Sequence, residues 1–290
     1  MNNSILYLIT VLVWGSTWLA IEYQLGVVEP EVSIAYRYAV AALVLFVWCR
    51  LRGLTLRFSA KDHVYFVLLG LLLFCLNYIF AYRAQVYITS ALAAIAFSTM
   101  LWMNIILSRV FFGTRITLHV LTGALLGIVG IVVLFAPQIE TIAVTDSMFF
   151  GSVLALGGAL TASFGNMLSQ SAQKRQLPVV ETNTWGMFYG AILTGIVALA
   201  SGHEFTFDAT FTYISSLAYL AIFGSVIAFG AYLTLLGRIG AHKAGYVTVM
   251  FPVVAVILSV AFEGMQLTGT IVTGTALVLL GNLLILKKDA

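Results

Sequence analysis

No stretch of this chain is polar for long enough to fold on its own. Apolar runs near residues 4–22, 32–49, 63–82, 86–108, 117–136, 147–170, 182–200, 211–235, 244–262 and 268–286 take up most of its 290 residues. Each is close to the length of about 20 residues that a helix needs to cross hydrocarbon. With 61% of residues hydrophobic and 9% charged, against about a quarter charged in an ordinary soluble domain, a water-soluble globule is excluded. Only helices and closed barrels satisfy every backbone polar group in lipid, and runs of this length select helices. The expected fold is therefore an all-α polytopic membrane protein of ten transmembrane helices. The first run lacks a basic leader and a small-residue cleavage site before Glu22, so it is expected to stay as a helix.

Lysine and arginine set the orientation. With the amino terminus in the cytoplasm, the cytoplasmic edges hold Arg50, Arg52, Arg57, Lys61, Arg109, Arg115, Lys174, Arg175, Arg238, Lys243, Lys287 and Lys288, which is 12 of the 14 basic residues. Arg37 and Arg83 alone fall in the outer half. The positive-inside rule thus predicts an even number of crossings and two cytoplasmic termini. The basic residues read as solvated edges, so no nucleic-acid partner is expected.

The chain also repeats itself. A shift of 150 lays Ala81, Tyr82, Ala91, Ala94, Met100 and Phe112 on Ala231, Tyr232, Ala241, Ala244, Met250 and Phe262, and a shift of 151 lays Thr122, Gly123 and Gly130 on Thr273, Gly274 and Gly281. Two halves of five helices follow, residues 1–138 and 139–290. An odd number of crossings per half inverts the second relative to the first, the arrangement of many secondary transporters, whose solute site lies at mid-membrane between the halves.

Polar and aromatic residues at helical spacing mark the faces turned away from lipid. Helix one carries Tyr7, Thr10, Trp14, Thr17 and Trp18; helix three Asn77, Tyr78, Tyr82 and Gln85; helix four Thr99 and Trp102. In the second half Asn166 and Gln170 share a face of helix six, Ser225, Phe229 and Tyr232 one of helix eight, and Tyr246, Val249 and Met250 one of helix nine. Trp14, Thr17, Trp18, Asn77, Tyr78, Tyr82, Thr99, Trp102, Asn166, Gln170, Tyr232, Tyr246 and Met250 are the candidate solute-binding residues. They describe a neutral, aromatic-walled central cavity suited to apolar or zwitterionic solutes. Asn104 lies about 140° around an ideal helix from Thr99 and is expected to be structural.

Arg37, one to two turns inside helix two, has three partners open to it: a solute carboxylate, Glu22 or Glu31, or the outer headgroups. Glu22, Arg37, Arg83 and Glu263 share a predicted depth and form a candidate outer gate. Pro252 removes a backbone hydrogen bond inside helix nine and is a candidate hinge. Gly123 and Gly127 in helix five, Gly186 and Gly190 in helix seven and Gly274 in helix ten allow close helix approach.

Trp14-Gly15-Ser16-Thr17-Trp18, Tyr36-Arg37-Tyr38-Ala39, Leu76-Asn77-Tyr78, Phe97-Ser98 with Asn104, Met250-Phe251-Pro252, Phe262-Glu263-Gly264 and Gly281-Asn282-Leu283-Leu284 resemble the drug/metabolite transporter superfamily, in its EamA-type branch. The resemblance implies ten helices in inverted halves, with helices one, three, four, six, eight and nine around the cavity. It also implies export of small metabolites, amino acids or related compounds, from bacterial cytoplasm across the inner membrane. Trp102 departs from the pattern, standing where its repeat partner Pro252 has proline, and Gly113-Thr114-Arg115 lacks the acidic residue of a common Gly-Glu-Arg element.

No Asp or Glu falls at the centre of a span, and His63, His119, His203 and His242 lie at span edges. Cys49 and Cys75 both sit in apolar runs and give no metal-ligand spacing. No P-loop or nucleophile elbow is present. Neither an enzyme nor a cofactor is expected. A small-molecule solute and the lipid bilayer are the expected partners, with the chain a monomer or weak dimer. Proton coupling and passive facilitated movement both remain open, and a multidrug or amine efflux carrier or a membrane-embedded enzyme or flippase for lipid-linked substrates are the rival readings.

Overall fold

A computed structural model of the chain describes residues 1–141, 146–254, 257 and 268–286. Among the described residues there is no strand. The helices start and stop where short polar side chains, proline and glycine place them. Helix α1 (Asn3–Glu22) is capped by Asn2, whose side chain accepts from the Ser4 amide, and α2 (Pro30–Leu51) begins on proline, which lacks only an N–H that the first turn leaves unused. Helix α3 (Ala60–Tyr87) opens on a reciprocal Ser59–Asp62 capping box. Helix α4 consists of Ser90–Ser98 and Met100–Phe112 joined at Thr99, and it ends at Gly113 with φ 64°, a left-handed stop that only glycine adopts without cost.

The chain continues through α5 (Leu118–Thr141), α6 (Asp146–Lys174), α7 (Val179–Ala200), α8 (Phe211–Ile239) and α10 (Gly269–Leu286). Between the last two, α9 starts as Ala241–Ala244, winds as a 3₁₀ helix through Gly245–Met250 and continues as α-helix through residues 251–254. Eight of these helices are long and apolar enough to span a membrane, and α5 adds a shorter apolar stretch, Leu118–Leu134. The expected fifth and ninth spans thus correspond to α5 and to the described start of α9. Helix α3 runs on to Tyr87 and α4 begins at Ser90, so the expected fourth span, 86–108, is displaced towards the carboxyl terminus. The Thr89 side chain accepts from the Leu92 amide and marks a boundary that apolar content alone does not reveal.

Two helices carry matching interruptions. Gly70–Leu76 of α3 and Leu220–Ile227 of α8 are wound as π-helix, with five-residue backbone steps that recur at functional sites. Large apolar side chains such as Leu8, Leu12, Leu43, Val47, Ile106, Leu125 and Val132 face outwards, as lipid-facing positions require.

Glycine sets the closest packing. A Cβ at Gly123 would stand 2.6 Å from the Gly281 carbonyl, and one at Gly130 would stand 2.7 Å from that of Gly274. Rising number on α5 therefore meets falling number on α10, and the two helices lie antiparallel with backbones nearly touching. Gly186 and Gly190 of α7 do the same against α3, where a Cβ on Gly70 would meet the Gly186 oxygen at 2.8 Å. Helix α2 packs along α7.

Candidate functional site

Six helices, α1, α3, α4, α6, α8 and α9, wall a narrow central cavity. They are the six implied by the resemblance. Helix α1 contributes Trp14, Thr17, Trp18 and Ile21; α3 contributes Leu73, Asn77, Tyr78 and Ala81; α4 Phe97 and Met100. From the second half come Ala162 and Asn166, then Phe229 and Tyr232, then Thr248 and Phe251.

The walls are aromatic and held at fixed angles. Trp14 meets Phe229 edge-to-face at 4.8 Å, tilts against Tyr232 at 4.9 Å and meets Phe251 at 6.1 Å, while Trp18 meets Phe97 edge-to-face at 5.0 Å. Such pairs prefer these offset geometries because ring edges are positive and faces negative. The Trp14 indole N–H donates to the Gly224 carbonyl at 3.0 Å, so the ring is oriented as well as packed. Asn166 Nδ2 donates to the Tyr232 hydroxyl at 3.0 Å and lies 3.3 Å from Asn104 Oδ1. Asn77 Nδ2 spends its donor on the Leu73 carbonyl at 3.3 Å, and its Oδ1 has no partner among the described residues. An acceptor left open on a cavity wall is a place for a solute N–H or O–H, since a buried unpaired oxygen is costly.

Of the predicted solute-binding residues, Trp14, Thr17, Trp18, Asn77, Tyr78, Asn166 and Tyr232 line this cavity. Tyr82, Thr99, Trp102, Gln170, Tyr246 and Met250 do not. Tyr82 is buried beside Arg37. The Thr99 hydroxyl turns back onto the Ala96 carbonyl at 2.6 Å, and the helix breaks there. Phe97, Met100 and Asn104, at three- and four-residue steps, consequently form the inner face of α4, and Trp102 lies off it. Asn104 thus belongs to the cavity's polar network through Asn166. Gln170 accepts from the Ala241 amide at 3.1 Å, tying α6 to the start of α9.

Helix α9 shows why a 3.6-residue period fails locally. With three residues per turn, Thr248 and Phe251 come onto one face and reach the cavity. Tyr246 instead lies against Gly127 and Gly281 and donates to the Val278 carbonyl at 2.7 Å. Phe97, Met100, Thr248 and Phe251 were not among the predicted residues; the Phe97–Met100 spacing on either side of Thr99 was the available signal. Pro252 is buried and cannot donate to the Thr248 carbonyl four residues back. That carbonyl accepts instead from the Phe251 N–H, a 3₁₀ step, and lies 3.2 Å from Ser98 Oγ of α4, whose hydroxyl also lies 3.0 Å from the Ala94 carbonyl.

Among the described residues, Glu22, Arg37 and Arg83 of the expected outer cluster do not pair with one another. Arg83 pairs with Glu31 through Nε at 2.8 Å and Nη2 at 2.7 Å and with Glu29 at 3.2 Å, and His203 Nδ1 lies 3.4 Å from Glu31. Glu22 is exposed and accepts from Ser90 Oγ at 3.4 Å. Glu263 lies outside the described residues. Arg37 pairs with neither Glu22 nor Glu31 and does not reach the headgroups, since its exposure is 0%. Six residues of helix separate it from Glu31 by about 9 Å of rise and about a third of a turn, so the two side chains leave α2 at different depths and in different directions.

Arg37 points instead into the bundle. Its Nε donates to Ser225 Oγ at 2.9 Å, and that hydroxyl donates to the Leu220 carbonyl at 2.9 Å, a five-residue step set by the π segment of α8. Its Nη2 lies 3.4 Å from the Tyr78 hydroxyl, and its Cζ stands 4.4 Å from the centre of the Tyr78 ring.

A polytopic helical bundle around an oriented aromatic cavity is an architecture suited to membrane transport. Residues 2–136 and 149–287 match the EamA-like transporter family, and the chain belongs to it. It is 26% identical to protein PagO of Salmonella typhimurium over 88% of this chain and 83% of that one. It is 27% identical to the uncharacterized inner membrane transporter YedA of Escherichia coli K12 over 96% and 90%, and 23% identical to the uncharacterized transporter YoaV of Bacillus subtilis over 93% and 91%. A solved crystal structure superposes with a TM-score of 0.78 at 19% identity, covering 98% of this chain and 96% of that one, which supports the fold.

Proposed function

We propose that the protein is a secondary carrier that exports a small neutral or zwitterionic metabolite, an amino acid or a related compound, across the bacterial cytoplasmic membrane. Two inverted halves, residues 1–138 and 139–290, rock about the shared cavity, with both termini cytoplasmic. The carrying observation is the cavity itself, enclosed by three helices of each half and lined with aromatic rings and a few neutral polar groups. Such walls supply contact area while amides and hydroxyls fix orientation.

The inverted arrangement has support from reciprocal contacts. Gly123 and Gly274 are repeat equivalents, as are Gly130 and Gly281; Gly123 meets Gly281 while Gly130 meets Gly274. A two-fold axis produces that exchange of partners. The π segments at Gly70–Leu76 and Leu220–Ile227 begin 150 residues apart, and the Ser98–Thr248 bond joins two positions with the same separation. Pro252 and the 3₁₀ winding before it form a hinge in α9. The Glu29–Glu31–Arg83–His203 cluster ties the start of α2 to the end of α3 and the loop after α7, and serves as the outer latch. Coupling to protons and passive export both fit this frame.

Counterflow in proteoliposomes with a panel of labelled amino acids, amines and drug-like amines tests the reading. Saturable exchange that Trp18→Ala abolishes is the expected result. Ion conduction without saturation would instead make the protein a channel.

A further inference from the structure

Arg37 is a permanent cation in the middle of an apolar bundle, and its neighbours do not neutralise it. An arginine keeps its proton at any physiological pH, and an intramembrane charge is costly unless paired. Among the described residues every ion pair found involves Glu29 or Glu31 at the helix ends, and none reaches Arg37. Its surroundings are hydroxyls and rings: Ser225 on Nε, Tyr78 on Nη2, and the Tyr38 ring 5.4 Å from Cζ. The Tyr82 hydroxyl also faces it, yet neither that oxygen nor Arg37 Nη1 closes a hydrogen bond among the described residues. The guanidinium therefore retains one whole donor nitrogen and an uncompensated charge.

The cavity is one side chain away. Tyr78 lines it on one side and covers the guanidinium on the other. Thr17, also in the lining, and Arg37 Nη2 both crowd the same point over Gly224, 3.0 Å and 3.1 Å from where a Cβ would stand. The Tyr78 hydroxyl contact, at 3.4 Å, is long for a hydrogen bond to a charged donor and is readily exchanged for a better acceptor. Nε is already held by Ser225, so turning Tyr78 aside would present the Nη1–Nη2 edge, which matches the two oxygens of a carboxylate end-on.

The geometry points to Arg37 as the recognition residue for a carboxylate carried by the solute, with Tyr78 as the side chain that turns aside to admit it. The inference rests on the cavity being the transport site and adds the head group that the site selects. A single carboxylate is selected, on a monoanion or a zwitterion, because no residue lining the cavity is charged and one guanidinium balances one negative charge. The aromatic walls receive the rest of the molecule.

Four labelled probes with a common phenylalkyl body separate the possibilities in proteoliposomes of the full-length protein: 3-phenylpropionate, L-phenylalanine, phenethylamine and 3-phenylpropanol, with phenyl phosphate as a dianionic competitor. Saturable uptake confined to the two carboxylates, and little competition by phenyl phosphate, is the expected result. Arg37→Gln is expected to raise KM for the carboxylates about 10- to 100-fold, the range for losing a charged hydrogen bond, while Tyr78→Phe, which removes the competing hydroxyl, lowers KM for them. A head-group preference that survives Arg37→Gln, or phenethylamine or the alcohol carried as well as the acid, overturns the inference and leaves the carrier intact. No saturable uptake of any probe counts against the carrier reading itself, and the inference falls with it. If Arg37→Gln does not assemble, the Tyr78→Phe shift decides alone, an unchanged KM being the overturning result.

Discussion

Single side chains in this bundle act by completing a neighbour's hydrogen bonding. The Ser98–Thr248 contact is one case, because Ser98 reaches from α4 to a carbonyl of α9 that Pro252 cannot serve. Ser98→Ala is expected to lower stability by about 1 kcal/mol, the usual net worth of such a bond, read as a lower midpoint of thermal unfolding in detergent; Ser98→Thr should retain it. Among aromatic residues the cavity geometry separates two tryptophans that sequence spacing treats alike. Trp18→Ala should raise KM or abolish saturable transport, whereas Trp102→Ala should leave KM within about twofold, since Trp102 lies outside the lining. Equal effects would return Trp102 to the pathway. Arg37 shows what spacing cannot supply: its depth is evident from its position in α2, but its Ser225 and Tyr78 partners belong to helices far along the chain.

Helices and helix pairs depend on where glycine is, and where it is not needed. In α5 and α10 the backbones touch, so Gly130→Val would drive a side chain into the Gly274 carbonyl. Loss of folded protein, seen as aggregation in size-exclusion chromatography, is the expected outcome. Gly230 of α8 has nothing within 4 Å of a Cβ, so Gly230→Ala should be neutral or raise the unfolding midpoint slightly, glycine being the poorer helix former by about 1 kcal/mol. A sequence pattern of small residues marks both positions as permissive. Only the partner helix tells them apart. The same holds for winding: the break at Thr99 and the 3₁₀ stretch of α9 each rotate the face that a regular 3.6-residue count projects, and the predicted Thr99, Trp102, Tyr246 and Met250 lie off the cavity.

At the scale of the whole molecule, the start of α2, the end of α3 and the loop after α7 are joined by Arg83, Glu29, Glu31 and His203. If that cluster is the outer latch, Arg83→Gln should increase labelling of a cysteine placed at Ile21, in the cavity lining, by a membrane-impermeant maleimide added outside. Unchanged labelling would make the cluster a static tie. Reporter fusions to both termini should locate them in the cytoplasm, the outcome that the distribution of 12 of 14 basic residues predicts.

The sequence by itself determined that this chain lives in lipid as a set of helices, where most of them begin and end, and which helices carry polar and aromatic stripes. Those properties follow from local physics: hydrocarbon tolerates no unsatisfied backbone, caps and prolines act within a turn, and apolar content adds along the chain. Tertiary structure alone decided which side of α4 and α9 meets the cavity, that Arg83 rather than Arg37 answers Glu31, and that Arg37 lies behind Tyr78. Each of these depends on helical phase after an interruption or on a partner more than 40 residues away, and neither is encoded in the spacing of residues along one helix.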